Sequence, residues 1–235
     1  MKVMLLAAGR GERMRPLTDH TPKPLLEVGG EPLIACHLRR LAAAGFREVV
    51  INHAWLGQKI EARLGDGRTW GVEITYSREG TGLETAGGIA RALPLLGGQP
   101  FLVVNGDIWT DYDFAKAHDI AGAMATDPDR LGHLVLVDKP SYPTGADLAL
   151  LPSGRVTPHG EGLVPLTFSG IAVYSPQFFA DIPGDRPGPL LPHFLAAMAA
   201  GRLSGEHFGG RWVDVGTVGR LEWARHEAKA EKSRK

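Results

Sequence analysis

Three stretches of this chain carry side chains suited to chemistry on a phosphate. Gly9-Arg10-Gly11-Glu12-Arg13 follows an apolar run ending at Ala7, and Lys23 stands between Pro22 and Pro24. Far downstream, Asp107 closes Asn105-Gly106-Asp107 and Asp214 closes Trp212-Val213-Asp214. Glycines just past a strand let backbone N–H groups approach an anion. Taken alone, Gly9 and Gly11 leave a plain tight turn equally open. No third glycine follows at position 14 to make a dinucleotide fingerprint, and no Gly-Lys-Ser/Thr makes a P-loop. The lysine tips the balance. Proline rings fix φ on both sides of it, and a stiff segment loses little entropy when its side chain engages a phosphate. The two aspartates are individually ordinary turn or cap residues. As a pair at strand ends they suit Mg²⁺, a hard cation that prefers oxygen ligands and shares them with substrate phosphate.

Positioning these residues requires elements, and the periodicity supplies them. Val3–Ala7, Val49–Ile51, Val72–Tyr76 and Phe101–Val104 read as strands. Pro32–Ala44, Leu56–Leu64 and Glu84–Leu93 read as helices, the first stopped by Gly45. Strand–helix alternation implies right-handed crossovers and an α/β fold with a Rossmann-like, mixed, mostly parallel central sheet flanked by helices. The second half reads as strand Leu134–Val137, a hairpin of Asp147–Leu151 with Arg155–Thr157, strand Phe168–Tyr174, helix Leu190–Ala200 and a charged helix Thr217–Ala230. The tail Glu231–Lys235 reads as frayed. No linker parts two domains, so residues 1–235 read as one domain.

Composition narrows the partners. Lys plus Arg equals Asp plus Glu, 26 against 26, which disfavours a nucleic-acid surface but not a local anion site. Cys36 is the single cysteine, so no internal disulfide forms and a thiolate metal cluster is disfavoured. The first apolar run is too short for a signal peptide, and no segment nears the roughly 20 apolar residues of a membrane span. The expectation is a cytoplasmic enzyme.

Leu6-Ala7-Ala8-Gly9-Arg10-Gly11-Glu12-Arg13-Met14-Arg15-Pro16-Leu17-Thr18, followed by Pro22-Lys23-Pro24, closely resembles the signature of the sugar-phosphate nucleotidyltransferases. Glu12 departs from it where threonine is frequent. The resemblance covers essentially all of the chain and stops before the left-handed β-helix that longer relatives append. It implies that Leu6, Ala7, Ala8, Gly9, Gly11, Glu12, Arg13 and Lys23 meet the nucleotide, with Arg13 and Lys23 acting on its phosphates. Asp107 and Asp214 match the family's metal aspartates. Gly82-Leu83-Glu84-Thr85-Ala86-Gly87 resembles the segment beside the base, so Glu84, Ala86, Gly87 and Asn105 join the nucleotide set. Glu84 stands where a glycine is commonest, and a favourable charge in a helix's first turn explains it equally well. Thr167-Phe168-Ser169-Gly170 resembles the strand that touches the sugar, giving Ser169, Gly170, Glu161 and Asp147 as sugar candidates. The lysine of the family's Glu-Lys-Pro is missing near Glu161.

The implied reaction joins a sugar 1-phosphate to the α-phosphorus of a nucleoside triphosphate and releases pyrophosphate. Asn52-His53-Ala54-Trp55-Leu56-Gly57 and Asn105-Gly106-Asp107-Ile108-Trp109 look like the short uridylyltransferases of cell-wall sugar recycling, which take UTP and N-acetylmuramic acid α-1-phosphate. A mannose- or glucose-1-phosphate enzyme is the alternative. A muramic lactyl carboxylate would want a cation such as Arg155 or Lys139. A non-catalytic nucleotide-binding module is a further alternative, which the retained Arg13, Lys23, Asp107 and Asp214 disfavour. Neither nucleic acid nor membrane is an expected partner, and oligomeric state is not legible.

Overall fold

The computed structural model describes residues 1–232. In chain order its elements are β1 (Val3–Leu6), β2 (Glu27–Val28), β3 (Glu31–Pro32), α1 (Leu33–Ala43), β4 (Glu48–His53), α2 (Gly57–Leu64), β5 (Glu73–Arg78), α3 (Glu84–Leu96), β6 (Phe101–Asn105) and β7 (Ile108–Thr110). Then follow α4 (Lys116–Ala125), β8 (Gly132–Asp138), β9 (Leu148–Leu150), β10 (Val156–Pro158), β11 (Leu166–Tyr174), α5 (Leu191–Ala199), β12 (Leu203–His207), β13 (Trp212–Asp214) and α6 (Val218–Lys232).

The main sheet runs β10-β9-β11-β6-β1-β4-β5, with β8 beside β11 and β12 beside β8. The strands β6, β1, β4 and β5 are mutually parallel. The pairs of β11 with β6 and with β8 are antiparallel, so the sheet is mixed. Side chains on a strand alternate faces, and here both faces are buried. Val3, Leu5, Val49, Ile51, Leu102 and Val104 meet Ile34, Leu38, Ile60 and Phe114 on one side. Met4, Val50, Phe101 and Val103 meet Ile89, Phe179 and Phe194 on the other. A third apolar group packs α6, through Leu221 and Ala224, on Met14, Val28, Trp109 and Val213.

The expected elements form, with shifted ends. Strand Val49–Ile51 extends to Glu48–His53, and helix Glu84–Leu93 continues through Pro94 to Leu96. The hairpin forms, with Val156 opposite Leu150. The helix α4 and the strands β2, β3, β7, β12 and β13 were not expected. The sequence of α4 is rich in alanine and gives a weak apolar stripe, β2, β3, β7 and β13 are only two or three residues long, and β12 is largely polar. The terminal helix does not fray from Glu231: it reaches Lys232, and Arg40 donates to both Glu231 carboxylate oxygens at 2.8 and 2.9 Å. The remainder of the expected tail, 233–235, lies outside the described residues.

Candidate active site

The carboxyl ends of β1, β4 and β5 open into a cleft of about 650 Å³ lined by Leu6–Arg10, Lys23, Asn52, Trp55, Gly80–Gly82, Glu84, Asn105 and Asp107 among others. The first loop earns its glycines differently at each position. A Cβ at Gly9 would meet nothing, so this glycine leaves the loop backbone open toward the cleft. Gly11 has φ +67°, and a Cβ there would lie 2.9 Å from Thr18 Cγ2 and 3.2 Å from Lys23 Cβ. Gly11 is therefore a folding requirement that lets Lys23 pack beneath the loop. Gly11 and Glu12 line neither cavity, and Glu12 is exposed.

Lys23 is 7% exposed, and its ammonium lies 2.5 Å from Asp107 Oδ2. A second cavity of about 190 Å³ begins at the same aspartate. It is lined by Arg13, Asn105, Asp107, Ile108, Thr144, Thr167, Phe168, Ser169, Trp212 and Asp214. Asn105 and Asp107 border both spaces. The antiparallel pair of β7 and β13 sets Asp214 opposite Ile108, and Val215 N–H donates to the Asp107 carbonyl at 2.9 Å. Two aspartates 107 residues apart in sequence thus become neighbours. Among the described residues no group of three or more His, Cys, Asp and Glu gathers to hold a metal. Two carboxylates with substrate oxygens completing the shell fit Mg²⁺, which is held by few protein ligands where phosphates share it.

Arg13 is brought to the second cavity, on the side of Asp214, and not to the glycine cleft. Ser169 reaches that cavity too, but its hydroxyl is engaged inside the sheet: it donates to Val135 O at 2.7 Å and accepts from Ile171 N–H at 3.2 Å. It sits where the register of β11 on β8 shifts, between Phe168 and Ile171. Gly170, at φ +83°, lets Asn105 press against that bulge; a Cβ would lie 2.6 Å from Asn105 Nδ2. Ala86 and Gly87 do not line the cleft. Their N–H groups donate to Gly188 O at 2.9 and 3.2 Å, and a Cβ at Gly87 would collide with Arg186 O at 2.6 Å. Their small size admits the 183–189 loop. Asp147 pairs with Lys139 at 2.5 Å, Glu161 is exposed, and neither lines either of these two cavities. Arg155 bridges to Ser204, which pairs with His133 at the far end of the sheet from Asn105.

Three residues that hold the site together escaped the sequence reading. Asn52 accepts from Ala7 N–H at 2.9 Å and donates to buried Glu79 at 2.6 Å, and Leu83 N–H donates to the other Glu79 oxygen at 2.8 Å. This relay ties the ends of β1, β4 and β5 under the cleft. Gly88 makes room for it, since a Cβ would lie 2.6 Å from Glu79 Oε1. Arg220, from α6, donates to Asp214 Oδ2 at 2.8 Å. Asn52 was visible within a resembling stretch, but nothing local marks Glu79 or Arg220. Below the junction, His37 bonds Ile108 O at 2.8 Å. Burial pushes its pKa down to about 4, so it is neutral near pH 7 and Nε2–H donates.

A model of the nucleotidyl transferase family matches residues 2–142. The N-acetylmuramate alpha-1-phosphate uridylyltransferase of Neisseria meningitidis serogroup B is 55% identical over 226 residues, covering 95% of this chain and 96% of that protein. The protein of the same name from Caulobacter vibrioides is 37% identical over 222 residues, covering 91% and 90%. A crystal structure from Bacillus anthracis, described as a glucose-1-phosphate thymidylyltransferase in complex with sucrose, superposes with a TM-score of 0.83. That match covers 97% of this chain and 95% of the other at 22% identity, and it shows the shared fold. A family match over more than half the chain, with 55% identity to one member across nearly all of it, makes this chain a member of the nucleotidyl transferase family.

Proposed function

We propose that this chain transfers the uridylyl group of UTP to N-acetylmuramic acid α-1-phosphate and releases pyrophosphate. In this reading one domain performs the reaction in the cytoplasm, in recycling of cell-wall sugar. The observation that carries the reaction class is the meeting of two cavities at Asn105 and Asp107, one suited to a nucleotide and one to a sugar. The choice of uridine and muramic acid follows the near-full-length likeness to the Neisseria protein.

The chemistry asks for positioning and charge. A phosphomonoester's second pKa is about 6, so the sugar phosphate is mostly dianionic at neutral pH and needs no general base. Its oxygen attacks the α-phosphorus in line, and the bond to pyrophosphate breaks as the new one forms. The barrier lies in bringing anions together, which preorganised cations lower. Buried Lys23 neutralises the α-phosphate. Arg13, whose planar fork matches paired oxygens, steadies phosphate from the second cavity. Mg²⁺, held by Asp107 and Asp214, would supply further neutralisation of phosphate charge and a template for both substrates.

A pyrophosphate-release panel tests this. UTP, GTP, dTTP, CTP and ATP are crossed with the 1-phosphates of N-acetylmuramic acid, glucosamine, glucose and mannose, with and without Mg²⁺. The expected result is turnover of UTP with N-acetylmuramic acid α-1-phosphate that requires the metal. Preference for GTP with mannose 1-phosphate would overturn the substrate assignment, and no turnover with any pair would overturn catalysis itself.

A further inference from the structure

Arg220 stands apart from the residues assigned so far. It projects from the first turn of α6, and its side chain is only 13% exposed. Nη1 donates to Asp214 at 2.8 Å, and the guanidinium lies over the Tyr142 ring, 4.2 Å from its centroid. The other amino group points at Gly216. A Cβ there would lie 2.3 Å from Arg220 Nη2, 2.7 Å from Asp214 Oδ1 and 3.0 Å from Arg13 Nη2. Two guanidinium groups therefore converge on one carboxylate at the wall of the second cavity. Arg13 has no hydrogen-bond or ion-pair partner among the described residues. The corner carries one more positive charge than negative, and like charges held this close favour an arriving anion.

The other junction aspartate has the same guard. Lys23 sits on Asp107 at 2.5 Å as Arg220 sits on Asp214 at 2.8 Å. A divalent cation entering between these carboxylates meets a resident side-chain cation on one oxygen of each and competes with it for that negative charge. We propose that Arg220 is a displaceable counter-ion of Asp214 which, once released, binds the anionic sugar 1-phosphate in the second cavity. Tyr142 makes the exchange local. Stacking on its ring holds the guanidinium beside the cavity when the carboxylate is lost, and arginine suits this because its flat, weakly hydrated group stacks while its edge still donates. Thr144, two residues on, lines the same cavity and meets Thr167 at 3.0 Å, so the segment that carries Tyr142 borders the sugar's place.

The sugar half of this inference rests on the function proposed above, whereas the metal half does not, and they are measured separately. Mn²⁺ is titrated into the protein without nucleotide or sugar, with free metal followed by electron paramagnetic resonance. Arg220→Met should tighten Mn²⁺ binding about tenfold, the worth of one hydrogen bond to a charged group. In steady-state assays the same variant should raise the KM for N-acetylmuramic acid α-1-phosphate about tenfold and leave the KM for UTP near wild type. Arg220→Lys keeps the charge but loses the fork, so it should bind Mn²⁺ like wild type and still raise the sugar phosphate KM. Unchanged or weaker Mn²⁺ binding by a folded Arg220→Met protein overturns the counter-ion role. If Arg220→Met does not fold, Arg220→Lys decides: tighter or weaker Mn²⁺ binding than wild type overturns that role. An unchanged sugar phosphate KM in both variants, or an equal rise for UTP, overturns the binding role. If the wild type turns over no substrate pair, the proposed function fails while the Mn²⁺ titration still judges Arg220.

Discussion

The larger cleft is walled mainly by loops that follow β1, β4 and β5 in regular succession, whereas the smaller cavity is gathered from residue 13, 105–108, 144, 167–169 and 212–214. The first rests on parallel strands and is bordered by the glycine-bearing loops at 9–10 and 80–82. The second rests on antiparallel strands, a bulge and the small β7–β13 pair, and presents side chains. A phosphate chain shared by all nucleotides can be met by a fixed backbone, while sugars differ and are met by side chains that vary easily. The two designs touch at Asp107. Replacing Asp107 or Asp214 by Asn should lower kcat about a thousandfold by removing charge stabilisation at the reacting phosphorus, read in the pyrophosphate-release assay. Near-wild-type turnover by either variant would break the view that the cavities share one reaction centre.

This contrast also explains what the sequence disclosed. Gly9 to Lys23 is one continuous motif, because a strand, a turn and a stiff lysine segment adjoin along the chain. Both aspartates were legible too, since each follows a short apolar run. The smaller cavity was not. Ser169 was read as a sugar contact from its place in a motif, yet burial turns its hydroxyl inward to Val135. Ala86 and Gly87 were read as room for a base, whereas the room admits the 183–189 loop about a hundred residues later. Small residues announce close approach but not what approaches. Arg220 reaches back from the first turn of α6 to Asp214 at the end of β13, with no pattern to set it apart from the other charges of α6.

The relay beneath the larger cleft sharpens the comparison. Glu79→Leu would strand two buried donors, Asn52 Nδ2 and Leu83 N–H, at a cost of about 4 kcal/mol in urea unfolding. Through Asn52 it should also loosen Ala7 and raise the KM for UTP, with the sugar phosphate KM unchanged. A rise confined to the sugar phosphate would mean that the relay serves the other cavity.

His37 tests the floor on which both cavities stand. Its folded pKa is about 4, against 6.5 when unexposed to the fold's influence, because burial disfavours its charged form. Between those values the unfolded chain binds a proton that the folded chain refuses, so stability falls as pH drops from 6.5 to about 4. The loss from this group approaches about 3 kcal/mol. His133, whose pKa burial also lowers, acts in the same direction. His37→Gln keeps a donor for Ile108 O without the titration and should flatten the stability profile measured by urea unfolding across that range. An unchanged profile would show that His37 is accessible to protons in the fold.

The smallest effect belongs to Glu84, where backbone and side chain at the edge of the larger cleft conflict. Its φ of +57° lies in the left-handed region that favours glycine, and glycine is what the resembling segment commonly carries there. Glu84→Gly should relieve that conformation and gain under about 1 kcal/mol, since glycine's freedom in the unfolded chain offsets part of the relief. For a chain of this size that is a rise in Tm of about 2 °C. Glu84→Ala keeps the strained backbone and loses the charge at the start of α3, so its Tm should not rise. The KM for UTP then separates the two roles left open for this side chain. If the carboxylate contacts base or ribose, both variants raise it equally despite their opposite effects on stability. If Glu84 is only a helix-start charge, neither moves it, and the side chain serves the start of α3 alone.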